Sequence, residues 1–386
     1  MATPPAIRFM LAALLLTLAA ACTATGQPGP AAPSGSAPAP PAATAAITPG
    51  APATAAPTVA AAASAPPPSA TVKVAETAAI AYAPVYVAEA RGYYREQGIE
   101  LDYQNVAGGA DAVPLLARGD VDLNLAAISA GTFNAFDRGL AVKIVAPMGI
   151  LPLHDSSLPL LARKELVDNG TLKSPADLRG RKVAVNTKGA IVEYLLAKVL
   201  EQNGMALRDV EETPLPFPDH ANALATGAID ASITAEPFAT RALDLGSATK
   251  FLAEIAPGKM TTVVMYGGEF IRQQPDVARR WMLATMRGAR EVQGPELGVL
   301  YPDKFYAPEN LPVFEKKLGV SAQVIRDQVP YTWDPDLVVQ TDFIDDQERV
   351  HIQNGVLQLA QPIPAERLVD SSFVDAARQQ LGKARP

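Results

Sequence analysis

One sequence pattern occurs twice in the chain and constrains the fold more than any other feature. It reads L-A-R-G-D-V-D-L-N-L-A over residues 116–126 and L-A-T-G-A-I-D-A-S-I-T over residues 224–234. Each copy is typical of a helix end, a Gly that permits the C-cap turn, and a short alternating strand. A K-V-A strand start precedes both copies, at residues 73–75 and 182–184. The repeated order predicts two similar lobes in one polypeptide, with chance similarity as the alternative.

Composition narrows the function classes that fit this chain. Its 386 residues allow two to three domains, and the net charge of −7 is only mildly acidic. Acidic and basic residues are interspersed, without the basic stripe that nucleic-acid binding requires, so we expect no nucleic-acid partner. Cys22 is the only cysteine, which excludes a disulfide framework and a cysteine-based metal cluster.

The N-terminal residues 1–21 indicate an export signal. Arg8 supplies the positive charge, and the apolar run after it is short for a membrane-spanning helix. The run ends in L-A-A-A-C, which resembles a bacterial lipobox that would lipidate Cys22 and anchor the protein at the membrane, in the periplasm or on the cell surface. Ala19 stands where Leu is usual, and plain A-x-A cleavage is the alternative. Residues 22–70 are rich in Ala and Pro and predict a disordered tether.

Strands and helices alternate from residue 71 onward. This alternation predicts doubly wound α/β lobes whose parallel sheets are covered on both faces. We expect extended hinge crossings near residues 158–162 and 262–266. With these crossings as boundaries, residues 71–155 and 256–386 form lobe I and residues 156–255 form lobe II. The helices after residue 275 are expected to pad lobe I.

The loops that follow the strands are the predicted ligand site. Doubly wound sheets bind ligands outside the carboxyl ends of their strands. Loops 77–83, 107–110 and 127–131 follow strands of lobe I, and loops 187–190 and 236–238 follow strands of lobe II. Two such edges facing each other predict a cleft between the lobes. The candidate ligand-binding residues are Thr77, Tyr82, Gly108, Gly109, Ser129, His154, Thr187, Lys188, Phe217, Glu236 and Phe238.

Each of these roles has a structural alternative. Tyr82 is a candidate to stack on a ring or hydrogen-bond to it, or is a half-buried loop tyrosine. Glu236 is a candidate acceptor for a ligand N–H, or a helix-start acid favoured by the helix dipole. Lys188 is a candidate to hold an anion, or a solvated surface lysine. Phe217 and Phe238 are candidates to wall a flat ligand, or core residues.

Catalytic signatures are not found in the sequence. The A-I-S-A-G at residues 127–131 lacks the first Gly of the G-x-S-x-G elbow, and neither a phosphate loop nor a dinucleotide fingerprint occurs. His154, His220 and His351 lack metal-ligand spacing, and only His154 is placed near the cleft. We therefore expect neither an enzyme nor a cofactor nor a metal site.

The motifs of residues 72–382 resemble those of the substrate-binding proteins of ABC importers. The Y-A-P-V-Y at residues 82–86 resembles the H-A-P-x-Y opening of the group that serves nitrate, aliphatic sulfonates, taurine and the thiamine pyrimidine precursor. The A-E-P-F at residues 235–238 resembles the W-E-P-Y turn of the pyrimidine-binding members. The resemblance implies a two-lobed monomer that closes around one small molecule and delivers it to a permease and ATPase complex. Eukaryotic relatives that act as enzymes carry clustered cysteines, which this chain lacks.

The departures from the family pattern affect the expected cargo. Tyr82 replaces the usual His and Ala235 the usual Trp, so stacking on that Trp is not available. The loops supply aromatic rings, one carboxylate and one plausible cation, without arginine. This set favours a flat, neutral, nitrogen-containing ring, such as a thiamine-type pyrimidine or a flavin. A sulfonate, taurine or nitrate held by backbone N–H groups is the alternative, and a ligand sensor that docks on a receptor is the alternative class.

Overall fold

The computed structural model describes residues 67–106 and 109–384. The predicted export signal, Cys22, most of the predicted tether and Gly108 lie outside the described residues. The strands are β1 (Ala70–Glu76), β2 (Ile99–Asn105), β3 (Leu123–Ala127), β4 (Val142–Pro147), β5 (Leu160–Arg163), β6 (Lys182–Val185), β7 (Glu211–Pro214), β8 (Ala231–Ile233), β9 (Ala248–Leu252) and β10 (Thr262–Gly267).

The strands form two five-stranded sheets with one shared topology. The order is β2-β1-β3-β10-β4 in the first sheet and β7-β6-β8-β5-β9 in the second. Strand β10 is antiparallel to both of its neighbours, and so is β5. The prediction of fully parallel sheets is therefore wrong for one strand in each sheet. These are the two crossing strands, which enter each sheet from the opposite lobe and hence run against the others.

The repeated sequence pattern has the same structural role in both sheets. Asp122 Oδ2 accepts a hydrogen bond from the Lys73 backbone N–H at 2.8 Å, and Asp230 Oδ2 accepts one from the Lys182 N–H at 3.2 Å. Each Asp therefore ties its own strand to the K-V-A strand that precedes it in sequence. Gly227, in the second copy, ends a helix with a φ of 74°, a conformation that favours Gly. The two motifs that recur in the sequence therefore correspond to one strand pairing that occurs in both sheets.

Helices cover both faces of the sheets. They are α1 (Ala83–Ala90), α2 (Tyr93–Glu96), α3 (Gly109–Arg118), α4 (Ala130–Asp137), α5 (Lys164–Asp168), α6 (Ile191–Gln202), α7 (Phe217–Thr226), α8 (Phe238–Asp244), α9 (Gly268–Gln273), α10 (Pro275–Val292), α11 (Pro302–Phe305), α12 (Leu311–Leu318), α13 (Ala322–Asp327), α14 (Thr341–Gln353), α15 (Ala365–Leu368) and α16 (Ser372–Leu381). Short 3-10 helices occupy Ile80–Tyr82, Pro175–Leu178 and Leu207–Asp209.

The longest helix, α10, forms the core of lobe I with its neighbours. It packs against α1 and α16. Its Trp281 is fully buried and lies near Tyr94 and Tyr266, with ring centroids 5.7 and 5.8 Å away. Burial of such aromatic side chains is the main favourable term of folding.

Helix α14 departs from the expectation that the C-terminal helices only pad lobe I. It packs against α4 of lobe I and also against α6 of lobe II. Phe343 meets the ring of Tyr194 edge to face at 5.2 Å, and the Tyr194 hydroxyl donates to Asp346 Oδ2 at 2.7 Å. Amphipathic spacing predicts that a helix has a buried face but does not identify the partner. Here the buried face bridges the two lobes.

Candidate functional site

The loops at the strand ends of the two lobes are in direct contact. Ser129 is the N-cap of α4, and its Oγ accepts from the Thr132 N–H at 3.4 Å. The next residue, Ala130, donates its N–H to the Gly189 carbonyl oxygen of lobe II at 2.8 Å. Gly189 has a φ of +72°, and a Cβ there would lie 3.0 Å from the Ala130 Cβ. The two lobes thus meet backbone to backbone at this point.

Glu236 lies at a second junction, between lobe II and the C-terminal part of the chain. Its Oε2 accepts from the Thr240 N–H of α8 at 3.0 Å, and its Oε1 faces the Val329 N–H at 3.5 Å, a long contact. Burial raises the pKa of the Glu236 carboxyl, and the hydrogen bonds from Thr240 oppose that shift. The carboxyl therefore acts as an acceptor between α8 and the segment that contains Val329.

Tyr82 is much more deeply buried than a typical loop residue, with only 2% of its surface exposed. Burial raises its pKa, and its hydroxyl hydrogen-bonds to Thr77. Tyr331 also raises the pKa of Tyr82, and Glu236 raises that of Tyr331. The contacts agree: a Cβ on Gly149 would lie 2.8 Å from the Ala81 Cβ and 2.9 Å from Tyr331 Cδ1, and the N–H of Val329, two residues before Tyr331, faces Glu236. The structure therefore places Tyr331, which sequence reasoning missed, beside the Tyr82 loop and two residues from the segment that faces Glu236.

Tyr331 is held in place by the crossing segments. Burial is the main cause of its raised pKa, and its hydroxyl hydrogen-bonds to Thr261. A Cβ on Gly149 would lie 2.9 Å from Tyr331 Cδ1, so the ring packs directly on this glycine. The next residue, Thr332, exchanges backbone hydrogen bonds of 2.9 Å with Ile150. The short V-P-Y-T-W stretch around Tyr331 interrupts the helical pattern, and this interruption is the signal that could have identified it.

Phe217 and Phe238 form an aromatic wall on lobe II. Their rings are stacked at 6.4 Å with an interplanar angle of 19°, and both are half-buried. Behind them, His220 is fully buried and meets Phe217 edge to face. Its ring nitrogens contact the Leu215 carbonyl oxygen and the Thr234 hydroxyl, both at 2.8 Å. Burial lowers the pKa of His220, so the ring is neutral and supports the wall.

Other candidates lie apart from this group. Thr187 and Lys188 are exposed in the loop before Gly189. The His154 side chain is 91% exposed, 3.4 Å from Glu254. Gly109 is the first residue of α3, and Gly108 lies outside the described residues.

A buried acid on lobe II is the second feature that sequence reasoning missed. Glu193, in the first turn of α6, is 2% exposed, and its Oε2 accepts from the Gly189 N–H at 2.8 Å. Its carboxyl hydrogen-bonds to Glu212, and burial raises its pKa to about 8. His351 of α14 lies 3.9 Å from it, and burial lowers the pKa of His351 to about 4. A single acid on a helix gives no sequence signal of this environment.

Within residues 67–106 and 109–384, no group of three or more His, Cys, Asp or Glu side chains is arranged to hold a metal ion. In the same part of the chain, no helix is both long and apolar enough to cross a membrane.

Comparison with known proteins gives one family and one fold. A family model described as NMT1/THI5 like matches residues 79–295, more than half of the chain. The curated riboflavin-binding protein RibY of Chloroflexus aurantiacus is 26% identical over 273 residues, which cover 68% of this chain and 72% of RibY. The family match confirms the resemblance inferred from the motifs.

Solved structures show the same two-lobed architecture. The periplasmic nitrate-binding protein NrtA of Synechocystis PCC 6803 has a TM-score of 0.63 at 14% identity, covering 82% of this chain and 90% of NrtA. The periplasmic aliphatic sulphonate binding protein SsuA of Escherichia coli has a TM-score of 0.61 at 16% identity, covering 79% of this chain and 99% of SsuA. The desulfurization enzyme DSZB, with a TM-score of 0.55 at 16% identity over 80% of this chain and 99% of DSZB, is also similar. Because DSZB is an enzyme, the fold alone does not decide between binding and catalysis.

Proposed function

Because the chain belongs to the NMT1/THI5-like family, we propose that it is a solute-binding protein that captures one small molecule between its two lobes. It would then deliver this molecule to the permease and ATPase complex of an ABC importer. The observation that carries the proposal is that Tyr331 packs beside the Tyr82 loop at Gly149, while Val329, two residues before Tyr331, faces Glu236 of lobe II. Ligands of open α/β sheets bind at such strand-end crevices.

The N-terminal segment fits an exported protein of this kind. The charged start, the apolar run and the L-A-A-A-C end would direct export and lipidation of Cys22. The Ala- and Pro-rich stretch after it would then tether the folded part to the membrane. Metabolic labelling with a fatty acid tests this part. Label that persists in a Cys22→Ser variant would contradict lipidation at this residue.

For the cargo, we favour a heteroaromatic vitamin or vitamin precursor, such as a flavin or a thiamine-type pyrimidine. Tyr82, Tyr331, Phe217 and Phe238 supply rings for stacking, and Glu236 supplies an acceptor for ring N–H groups. RibY, a curated relative at 26% identity, is named as a riboflavin-binding protein and supports this choice. A sulfonate, taurine or nitrate is the second candidate, since solved structures of the same fold bind an aliphatic sulphonate and nitrate.

The decisive experiment for the cargo identifies what the protein already holds. The purified chain is denatured, and the released small molecules are analysed by mass spectrometry. If nothing is released, a thermal-shift panel follows, because a ligand at about a hundred times its Kd stabilises by roughly 2.7 kcal/mol. We expect stabilisation by riboflavin or by a thiamine-type pyrimidine. Stabilisation by taurine or nitrate, with none from the ring compounds, would overturn this choice.

The site itself is tested by two isosteric variants. Tyr82 is almost fully buried, and its truncation to Ala would cost about 3–5 kcal/mol of stability as an aromatic core residue. Tyr82→Phe avoids this problem by removing only the hydroxyl. Glu236→Gln keeps the shape and removes the charge. We expect both variants to fold and to bind the identified ligand more weakly, while Lys316→Gln, at an exposed position of α12, binds as the unmodified protein does.

Functional assays distinguish a solute-binding protein of an importer from two other classes of protein, a ligand sensor and an enzyme. Reconstitution with the cognate permease and ATPase should give ligand-dependent transport. A ligand-dependent complex with a receptor protein, without transport, would instead support a sensor. Turnover of the bound compound by the purified protein would support an enzyme, as DSZB has this fold.

A further inference from the structure

A chain of hydrogen bonds links a buried acid of lobe II to lobe I. The Glu193 Oε2 accepts from the Gly189 N–H at 2.8 Å. The Gly189 carbonyl oxygen accepts from the Ala130 N–H, also at 2.8 Å. Since Glu193 is 2% exposed, the position of the Gly189 loop depends on a carboxyl that water barely reaches.

The groups packed around Glu193 do not supply a buried positive charge. Glu212 of β7 hydrogen-bonds to it, and the neighbouring Lys188 is exposed. His351 of α14 lies 3.9 Å away and is neutral near pH 7, because burial lowers its pKa. On α6 itself, Tyr194 donates its hydroxyl to Asp346 and carries no charge. We call Gly189, Glu193, Glu212 and His351 the Glu193 cluster.

The Glu193 carboxyl is buried, and the described residues around it supply no buried cation. Burial penalises the charged form of a carboxyl. The raised pKa of Glu193, caused first by burial and then by Glu212, agrees with this geometry. His351 of α14 lies 3.9 Å from Glu193, and α14 packs on α6 and also on α4 of lobe I.

We propose that closure of the lobes is linked to a proton on Glu193: the neutral carboxyl lets α14 and α4 close over it, and its ionisation favours opening. The inference concerns regulation of the proposed ligand site. It rests on the proposed function only because that function gives closure its role, the enclosing of a ligand. The linkage between pH and closure itself requires no ligand.

The direction of the effect follows from burial. Opening exposes Glu193 to water, which lowers its pKa toward the ordinary value of 4.5 and releases the proton. The closed form therefore binds more protons, and the closed population falls as pH rises toward 8. One proton gives at most about a tenfold change per pH unit. Ligand released at higher pH would be a consequence of the same linkage.

The test measures the distance between the lobes in the full chain. Spin labels are placed on the exposed positions Arg138 and Gln202 as Arg138→Cys and Gln202→Cys, with Cys22→Ser removing the native thiol. We expect the closed fraction to fall between about pH 6.5 and 8.5, by up to tenfold per unit. Glu193→Gln, which is neutral at every pH, should remove this response.

The control is Glu211→Gln, which changes an exposed acid next to Glu212 on β7. It should keep the full response to pH. A pH-independent distance in the unmodified protein, or an unchanged response in Glu193→Gln, would overturn the linkage. Because the measurement uses no ligand, either result leaves the proposed cargo untouched, whereas absent binding in the ligand panel leaves the linkage untouched.

Discussion

Substitution of Gly189 by Ala is expected to weaken ligand binding through closure of the lobes. Gly189 has a φ of +72°, and an added Cβ would lie 3.0 Å from the Ala130 Cβ and 3.5 Å from Val356 Cγ1. The Gly189 carbonyl oxygen also accepts the Ala130 N–H. The substitution therefore adds a methyl group at a point where the backbones of the two lobes are in direct contact.

The free-energy cost of Gly189→Ala has two parts. A non-glycine residue in the left-handed region costs about 1–2 kcal/mol, and this cost is the same in open and closed forms. Loss of the interlobe hydrogen bond costs about 0.5–1.5 kcal/mol, and it applies only to the closed form. The second part lowers the closed population by about 2- to 13-fold. If only the closed form holds the ligand, Kd rises by the same factor.

Gly204→Ala is the matched control for the cost of placing a non-glycine residue in the left-handed conformation. Gly204, at the other end of α6, has a φ of +68° and no neighbouring atom within 4 Å of an added Cβ. Urea unfolding should show that both variants lose similar stability. Titration calorimetry with the identified ligand should show weaker binding for Gly189→Ala alone. Equal Kd values for the two variants would refute the assignment of this contact to closure.

Three further predictions concern pH, Tyr331 and motion. The raised pKa of Glu193 stabilises the fold below pH 4.5 and this contribution is lost as pH rises toward 8, whereas the lowered pKa of His351 stabilises above pH 6.5 and is lost as pH falls toward 4. The two windows overlap between pH 4.5 and 6.5, where the opposing effects offset each other, so thermal unfolding should show a plateau there and a decline above pH 6.5. Glu193→Gln should reduce this decline; an unchanged decline in that variant would contradict the assignment. Tyr331→Phe should lose about 1 kcal/mol in urea unfolding through the hydrogen bond to Thr261, and Tyr331→Leu should in addition bind an aromatic ligand at least tenfold more weakly, a large loss for one stacking surface. Small-angle scattering of the full chain should show a smaller radius of gyration with saturating ligand, and no change would argue against hinge closure.

The two-lobed architecture could be predicted from sequence because it is encoded locally and twice. The Asp of each repeat stands directly before its strand and accepts the backbone N–H of the Lys that belongs to the neighbouring K-V-A strand, so a pattern in the sequence corresponds to one strand pairing in each sheet. The direction of β5 and β10 could not be inferred in this way. Both strands have the composition of the others, and only the path of the chain between the lobes determines that they run antiparallel.

Candidate site residues can be proposed from the sequence where they follow a strand, because strand ends are visible in the sequence and tertiary partners are not. Tyr82 and Glu236 are candidates by that position. Glu193 and His351 are an ordinary helix acid and an ordinary helix histidine in the sequence. Their burial arises because α14 packs across the lobe junction onto α6, a contact between residues far apart in the chain.

Glu236 and Tyr331 together suggest how ligand capture and closure are related. In the structure the Glu236 carboxyl faces the Val329 N–H, two residues before Tyr331, and this contact is long at 3.5 Å. A ligand N–H at ordinary hydrogen-bond distance would be a better donor to the same oxygen. Capture would then exchange a weak contact with the Val329 backbone for a stronger one with the ligand, while Tyr331 remains beside the bound ring. In its proposed role the Glu236 carboxyl would recognise the ligand, and it also contacts the C-terminal segment at Val329. Occupancy of the site would therefore change a contact at the junction between the lobes.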